Sequence, residues 1–299
     1  MWQDIQIFGF RALWSPYYLL FIVLLAVLYF WLFVRRNDDK KANRRQITLF
    51  YTGIALLYVI KGSPIDLLSH IMFTSHMIQM ALYYLLFPIL MIRGIPAWFW
   101  RKVFNIPGLS SVLRLLTKPL ISLLVFNGLF SFYHIPVIFD FAKANDVAHT
   151  SISLTILLAA FLMWWPIYTP LKEMDTMQPL LKIGYICANG ILITPACALI
   201  IFATDSLYAT YGAGGSWVQA LSLCVPGDVL TGLSGLSING PEMFSPLGIV
   251  EDQQLGGIVM KITQEIIFGS ILAKIFFPWF RSGADKVDPL PSNHHTGQI

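Results

Sequence analysis

The chain reads as an all-α polytopic membrane helix bundle with seven transmembrane helices, and three observations lead there. It is 56% hydrophobic and only 12% charged over 299 residues, with a mean hydropathy of +0.66, a balance that excludes an ordinary soluble domain. It contains seven apolar runs of about 20 residues, the length that crosses the hydrocarbon core of a bilayer as a helix. Its Lys and Arg residues gather between alternate runs, the bias that orients membrane proteins.

The runs fall at about 15 to 34, 47 to 64, 68 to 92, 119 to 136, 149 to 169, 182 to 204 and 255 to 278. They are continuously apolar and do not alternate in short segments, which selects helices over a barrel. The opening segment, "MWQDIQIFGFRALWSPYYLL", carries Asp4, no basic start and no small-residue cleavage site, so it reads as a retained first helix and not as a signal peptide.

The loop "RRNDDKKANRR" holds Arg35, Arg36, Lys40, Lys41, Arg44 and Arg45, which assigns it to the cytoplasmic side and the N-terminus to the outside. Alternation then puts Arg93, Arg101, Lys102, Arg114, Lys118, Lys172, Lys182, Lys274, Arg281 and Lys286 inside, together with the C-terminus. Only Arg11, Lys61, Lys143 and Lys261 are left outside. The plasma membrane is the expected location.

Residues 1–280 are expected to form a single seven-helix domain, with a long outer loop at 205–253 and a disordered cytoplasmic tail at 281–299. That loop has acids at Asp205, Asp228, Glu242, Glu251 and Asp252 but no Lys or Arg. Its Gly and Pro residues predict short helical pieces within irregular chain. The net charge of +4 is accounted for by the cytoplasmic loops and implies no nucleic-acid partner. Cys187, Cys197 and Cys224 are scattered and indicate no disulfide, and His294 with His295 on the polar tail reads as inert. No phosphate loop, nucleophile elbow or HExxH helix is present, and no catalysed reaction is expected.

The remaining histidines converge. In "SHIMFTSHMIQM", helical spacing puts Met72, His76 and Met80 on one stripe of the third helix, with His70 and Met77 on another. His134 ends the fourth helix, His149 begins the fifth and Asp252 begins the seventh, all on the outer side. Imidazole is the commonest metal ligand and thioether is soft, so His70, His76, Met80, His134, His149 and Asp252 form a candidate copper site, better suited to Cu(I) than to magnesium or calcium. Methionines as core filler and histidines as interhelical hydrogen-bond donors are the plainer alternatives.

Lys61 is expected to snorkel outward, and Lys261 to pair with Glu265 one turn on. "MWWPIYTP" and "GIPAWFW" read as interfacial anchors. Haem binding is disfavoured because all the intramembrane histidines share one leaflet. Cation transport calls for polar residues toward the inner face, where only Asn127, Asn189 and Glu265 stand out. A metal-free scaffold that binds through the outer loop is the remaining alternative.

The succession "SHMIQM", "FYHIPVIFD", "VAHTS", "FLMWWPI", "LYATYG" and "EDQQLGGIVMKI" resembles the seven-helix CtaG proteins, assembly factors for caa-type cytochrome c oxidase in Gram-positive bacteria, over about residues 45 to 280. The resemblance implies a part in delivering copper to the oxidase, with oxidase subunits or other assembly factors, and membrane lipid, as partners. It supports His76, His134, His149 and Asp252 as motif positions. Many relatives carry a second His four residues after the first and last of these histidines, where this chain has Met80 and Ser153.

Overall fold

The computed structural model describes residues 2–35, 40–227, 229–230 and 240–284, and all regular structure among them is helical. Arg36, Asp228, Lys286 and the tail with His294 and His295 lie outside the described residues. The helices used below are α1 (Gln6–Val34), α2 (Arg44–Lys61), α3 (Pro64–Ile71), α4 (Phe73–Gly94), α5 (Ala97–Phe104) and α6 (Leu109–Leu116). They continue with α7 (Pro119–Tyr133), α8 (Pro136–Lys143), α9 (Asp146–Tyr168), α10 (Pro179–Ile201), α11 (Gly215–Leu221) and α12 (Ile249–Ala284). Five of them, α1, α4, α9, α10 and α12, are each long and apolar enough to cross a membrane. The count reaches seven if each bent pair, α2 with α3 at 44° and α6 with α7 at 82°, forms one span. The last helix runs to Ala284, four residues into the segment expected as tail.

The expected continuous helix over 68 to 92 is broken. Met72 takes an extended conformation, with φ −125° and ψ 137°, and separates α3 from α4. His70 and His76 therefore lie on different helices, and the two stripes drawn through Met72 and His70 do not exist; His76, Met77 and Met80 alone share α4.

A break among buried residues leaves backbone groups that water cannot reach, each costing about 1–3 kcal/mol if unpaired. Side chains from elsewhere satisfy them here. Phe73 N and Thr74 N donate to the Asp252 carboxylate at 2.6 and 3.3 Å. The Tyr211 hydroxyl donates to Ser69 O at 2.6 Å and the Trp217 indole to Ile71 O at 3.3 Å.

Within α4, Pro88 lacks the N–H that would bond Tyr84 O, and the preceding turn relaxes into a π-helix over Ala81–Leu86. The indole of Trp164 donates to that carbonyl at 3.3 Å. Trp164 and Trp165 are accordingly core residues, 2% and 3% exposed, and not the interfacial anchors that their place near a helix end suggested. Trp98, Phe99 and Trp100 are half-buried, as an anchor at the bundle edge would be.

Further polar contacts tie the helices laterally. The Asn127 amide donates to Asn189 Oδ1 at 2.9 Å, and the Ser122 and Tyr185 hydroxyls lie 3.1 Å apart. Lys261 meets Glu265 at 2.7 Å as the spacing predicted, and also reaches Thr194 at 2.9 Å.

The stretch "DQQLGG" is explained by packing. Gln253 accepts from Leu207 N and Gln254 donates to Ala203 O, which ties the start of α12 to the chain leaving α10. A Cβ on Gly256 would sit 2.6 Å from the Phe73 ring, and one on Gly257 would sit 2.9 Å from Ile201. These two glycines let α12 press against α4 and α10. Gly256→Val is expected to overpack this contact and destabilise the fold by about 1–3 kcal/mol, read as a lowered Tm of the purified protein in detergent.

Candidate functional site

The helix break brings its two sides into one buried chamber. His70 closes α3 and His76 opens α4, each 3% exposed. The His70 and His149 rings lie 5.6 Å apart. His76, Met80 and His149 line one small cavity of about 10 Å³, measured as space open to the centre of a water molecule, so it holds a single water or ion. Ser153 lines it too.

The nitrogens of this cluster are largely unspent. His76 Nδ1 and Nε2, His70 Nδ1 and His134 Nε2 find no hydrogen-bond partner among the described residues, although buried polar atoms are normally paired. His134 Nδ1 lies 2.7 Å from Phe130 O, which can only accept, so Nδ1 carries the proton and Nε2 keeps the free lone pair. His134 is set back from His76 behind Tyr133 and Phe139, whose rings contact both imidazoles.

Asp252 meets backbone amides and not an imidazole. Both its carboxylate oxygens are engaged by the N-terminal amides of α4, and its backbone carbonyl accepts from the Thr74 hydroxyl at 2.9 Å. It works as an N-cap delivered from another helix, and through the cap it sets the position of His76.

Other residues of the chamber were not legible as site residues. Lys61 does not snorkel. It turns inward to Asp66 at 3.4 Å and to Gln79 Oε1 at 3.4 Å, and it borders the cavity. The reason is the partner pair: Gln79 donates to Asp66 at 2.7 Å, and together they present acceptors that lipid headgroups cannot match at this depth. Lys143, at the end of α8, is 1% exposed and its ammonium finds no hydrogen-bond partner among the described residues, lying 5.6 Å from the Tyr211 ring centroid. Burial, and after it the charge of Lys61, lowers Lys143 from 10.5 to about 7.

The segment after α10 roofs the chamber. Asp140 on α8 accepts from Ala209 N, Thr210 N and the Thr210 hydroxyl, fixing the turn that inserts Tyr208 and Tyr211. Tyr208 donates to His134 O at 2.9 Å, and Phe73 stacks on its ring at 4.9 Å. Farther out, Trp217, Leu221, Val225 and Phe244 form a second apolar cluster with Ile5, Phe8 and Leu13 near the N-terminus. Cys224 and the other two cysteines carry free thiols.

Among the described residues no group of three His, Cys, Asp or Glu side chains converges tightly enough to hold a metal ion unaided. With Met80 counted, the cavity offers two imidazoles and one thioether, a donor set for a soft ion in low coordination and unlike a four-ligand zinc centre.

A bundle of long apolar helices with a capped helix break, a roofed imidazole chamber at one end and basic residues at the other defines a polytopic membrane protein whose buried polar cluster lies at one end of the bundle. The chain belongs to the cytochrome c oxidase caa3 assembly factor family (Caa3_CtaG), whose model matches residues 27–282. No curated protein and no solved structure matches the chain.

Two outcomes are expected from this geometry. Asp252→Ala removes the cap of α4 and is expected to cost about 0.5–2 kcal/mol, read by thermal unfolding, while Asp252→Asn, which keeps an acceptor, recovers part of the loss. Lys143 binds its proton less tightly folded than unfolded, so between pH of about 7 and 10.5 the unfolded chain holds the extra proton and stability rises with pH, by up to about 1.4 kcal/mol per unit. Lys143→Met is expected to remove that slope in unfolding curves taken across the same range.

Proposed function

We propose that this assembly factor holds a copper ion as cargo at the outer face of the plasma membrane and passes it to an oxidase subunit or to another assembly factor. The observation that carries the reading is the shared cavity of His76, Met80 and His149, with both nitrogens of His76 free of hydrogen bonds. His70 stands next in line beside His149 and supplies a further imidazole. His134 presents a free Nε2 one aromatic layer away, where an ion leaving the cavity would be received. Asp252 acts by positioning His76 through the α4 cap.

A seven-span topology with the N-terminus outside and the C-terminus cytoplasmic follows from counting each bent pair as one span and placing the basic loops inside. The chamber then lies toward the compartment in which an oxidase subunit would receive copper, and the described residues between α10 and α12, which roof it, are offered to the partner. No catalytic step is assigned to any residue. A release function needs a site that binds weakly enough to let go, which two imidazoles and a thioether supply better than a complete four-ligand shell.

A second reading, a metal-free scaffold, is favoured by Lys61 on the cavity wall and by Lys143 near it, since a cation beside the ligands opposes a second cation. The two readings separate in one experiment. The purified protein is loaded with Cu(I) and its metal content measured for the wild type, His76→Ala and His149→Ala, while oxidase activity is assayed in cells carrying the same variants. Loss of both bound copper and oxidase activity, with copper affinity down by about tenfold or more as for a lost ligand contact, is the expected result. Lost oxidase activity in the variants with unchanged copper content would decide for the scaffold.

A further inference from the structure

The opposite end of the bundle holds a larger cavity, of about 360 Å³, that the histidine chamber does not use. It lies about 24 Å along α9 from His149, taking 1.5 Å per residue, and is walled by α5, α6, the start of α7 and the chain that follows α9. Arg101, Arg114 and Lys118 stand on its exposed rim, and Trp165, Phe104 and Leu171 form its buried floor.

Four features of this cavity point to an anion. Three cations line it against a single carboxylate, Glu173, which is spent on Arg101 through contacts of 2.9 and 3.3 Å. Arg114 and Lys118 are left with their charges facing the opening. On the floor, the Trp165 indole N–H is buried and finds no hydrogen-bond partner among the described residues. Finally, α7 begins at the cavity with Lys118 and Pro119 and has no side-chain cap, so its positive dipole end is open there.

A second set of features points to lipid as the source of that anion. The short helix α6 turns 82° from α7 and exposes Leu109, Val112 and Leu115 at spacings of three, an exposed apolar face beside a basic edge. Next to the rim, Leu120 and Leu124 on α7 and Leu180 and Leu181 on α10 are exposed in the way that acyl chains require. The floor is aromatic, with Phe104 stacked on Trp165 at 4.6 Å.

We propose that this cavity binds the phosphate headgroup of an anionic phospholipid, with Arg114 and Lys118 as counter-charges, the Trp165 indole as a buried donor, and the acyl chains lying against α6, α7 and α10. Basic pockets between helices on the cytoplasmic side are suited to such headgroups. The occupied site would fasten the angle between α6 and α7, and with it the foot of the helix that leads to His134.

The test uses the full chain, purified and placed in nanodiscs of phosphatidylglycerol or of phosphatidylcholine, with lipid retention read by native mass spectrometry and unfolding temperature read in each disc. The wild type is expected to retain phosphatidylglycerol and to unfold several degrees higher in it. Arg114→Gln with Lys118→Gln is expected to weaken retention by roughly thirtyfold, as for two lost surface cations, and to leave unfolding in phosphatidylcholine unchanged. Trp165→Phe, which keeps the ring and removes the donor, is expected to lower retention on its own and serves where the double variant fails to fold. Equal retention of phosphatidylglycerol by the wild type and by the variants would overturn the proposal. So would stabilisation by inorganic phosphate alone in detergent with no difference between the two lipids, which would make free phosphate the ligand. Because none of these readouts involves copper, the result stands apart from the reading of the histidine chamber.

Discussion

The arrangement of this protein depends on the capping of one helix break. At Met72 the chain leaves helical geometry between buried residues that water does not reach, and three distant side chains complete the backbone: Asp252 on the amide side, Tyr211 and Trp217 on the carbonyl side. Without the break, His70 and His76 would sit on one helix at a fixed spacing of six residues. With it, α3 and α4 turn separate faces inward, and His70 approaches His149 while His76 shares a cavity with His149 and Met80. The imidazole cluster is thus a product of tertiary capping and not of helical periodicity.

The electrostatics of the chamber follow from the same burial. Free imidazole nitrogens, one carboxylate committed to backbone amides, and two lysines occupy a region of low dielectric, where an unpaired ammonium is costly. Lys61 meets this by pairing with Asp66 and Gln79. Lys143 has no such partner among the described residues, and burial holds it near 7. Two basic side chains set beside a cluster of donor nitrogens weaken the binding of any further cation there.

The membrane class and the gathering of histidines toward one end were legible because hydropathy and charge act locally along the chain. The helix break at Met72 was not, since the run around it is as apolar as a continuous one and its caps lie 142, 146 and 179 residues away. Asp252 was legible as a residue of the site but not as a cap, because a carboxylate at a helix start looks the same in sequence whether it faces a metal or another helix. Trp164 was misplaced for a similar reason: its task, the carbonyl that Pro88 leaves open on α4, sits 80 residues away. Lys143 carried one usable signal, a lysine ending a short apolar helix on the side poor in positive charge. Burial of its side chain depends on the roof that Tyr208 and Tyr211 form, which no local pattern announces.

That roof couples access to structure. Two of the residues that cover the chamber also satisfy the helix break, Tyr211 bonding Ser69 O and Trp217 bonding Ile71 O, and a third, Tyr208, bonds His134 O. Lifting the segment away from the chamber would strip two carbonyls from the end of α3 and one from the turn after α7, leaving each unpaired unless another donor took its place. A docking partner that supplied donors of its own at Ser69 and Ile71 would remove that penalty, whereas solvent reaching the same depth would first have to separate the aromatic rings packed around Phe73 and Phe139. The closed chamber is therefore stabilised against water more strongly than against a protein surface that matches it, and the selectivity lies in the hydrogen bonds of the break itself.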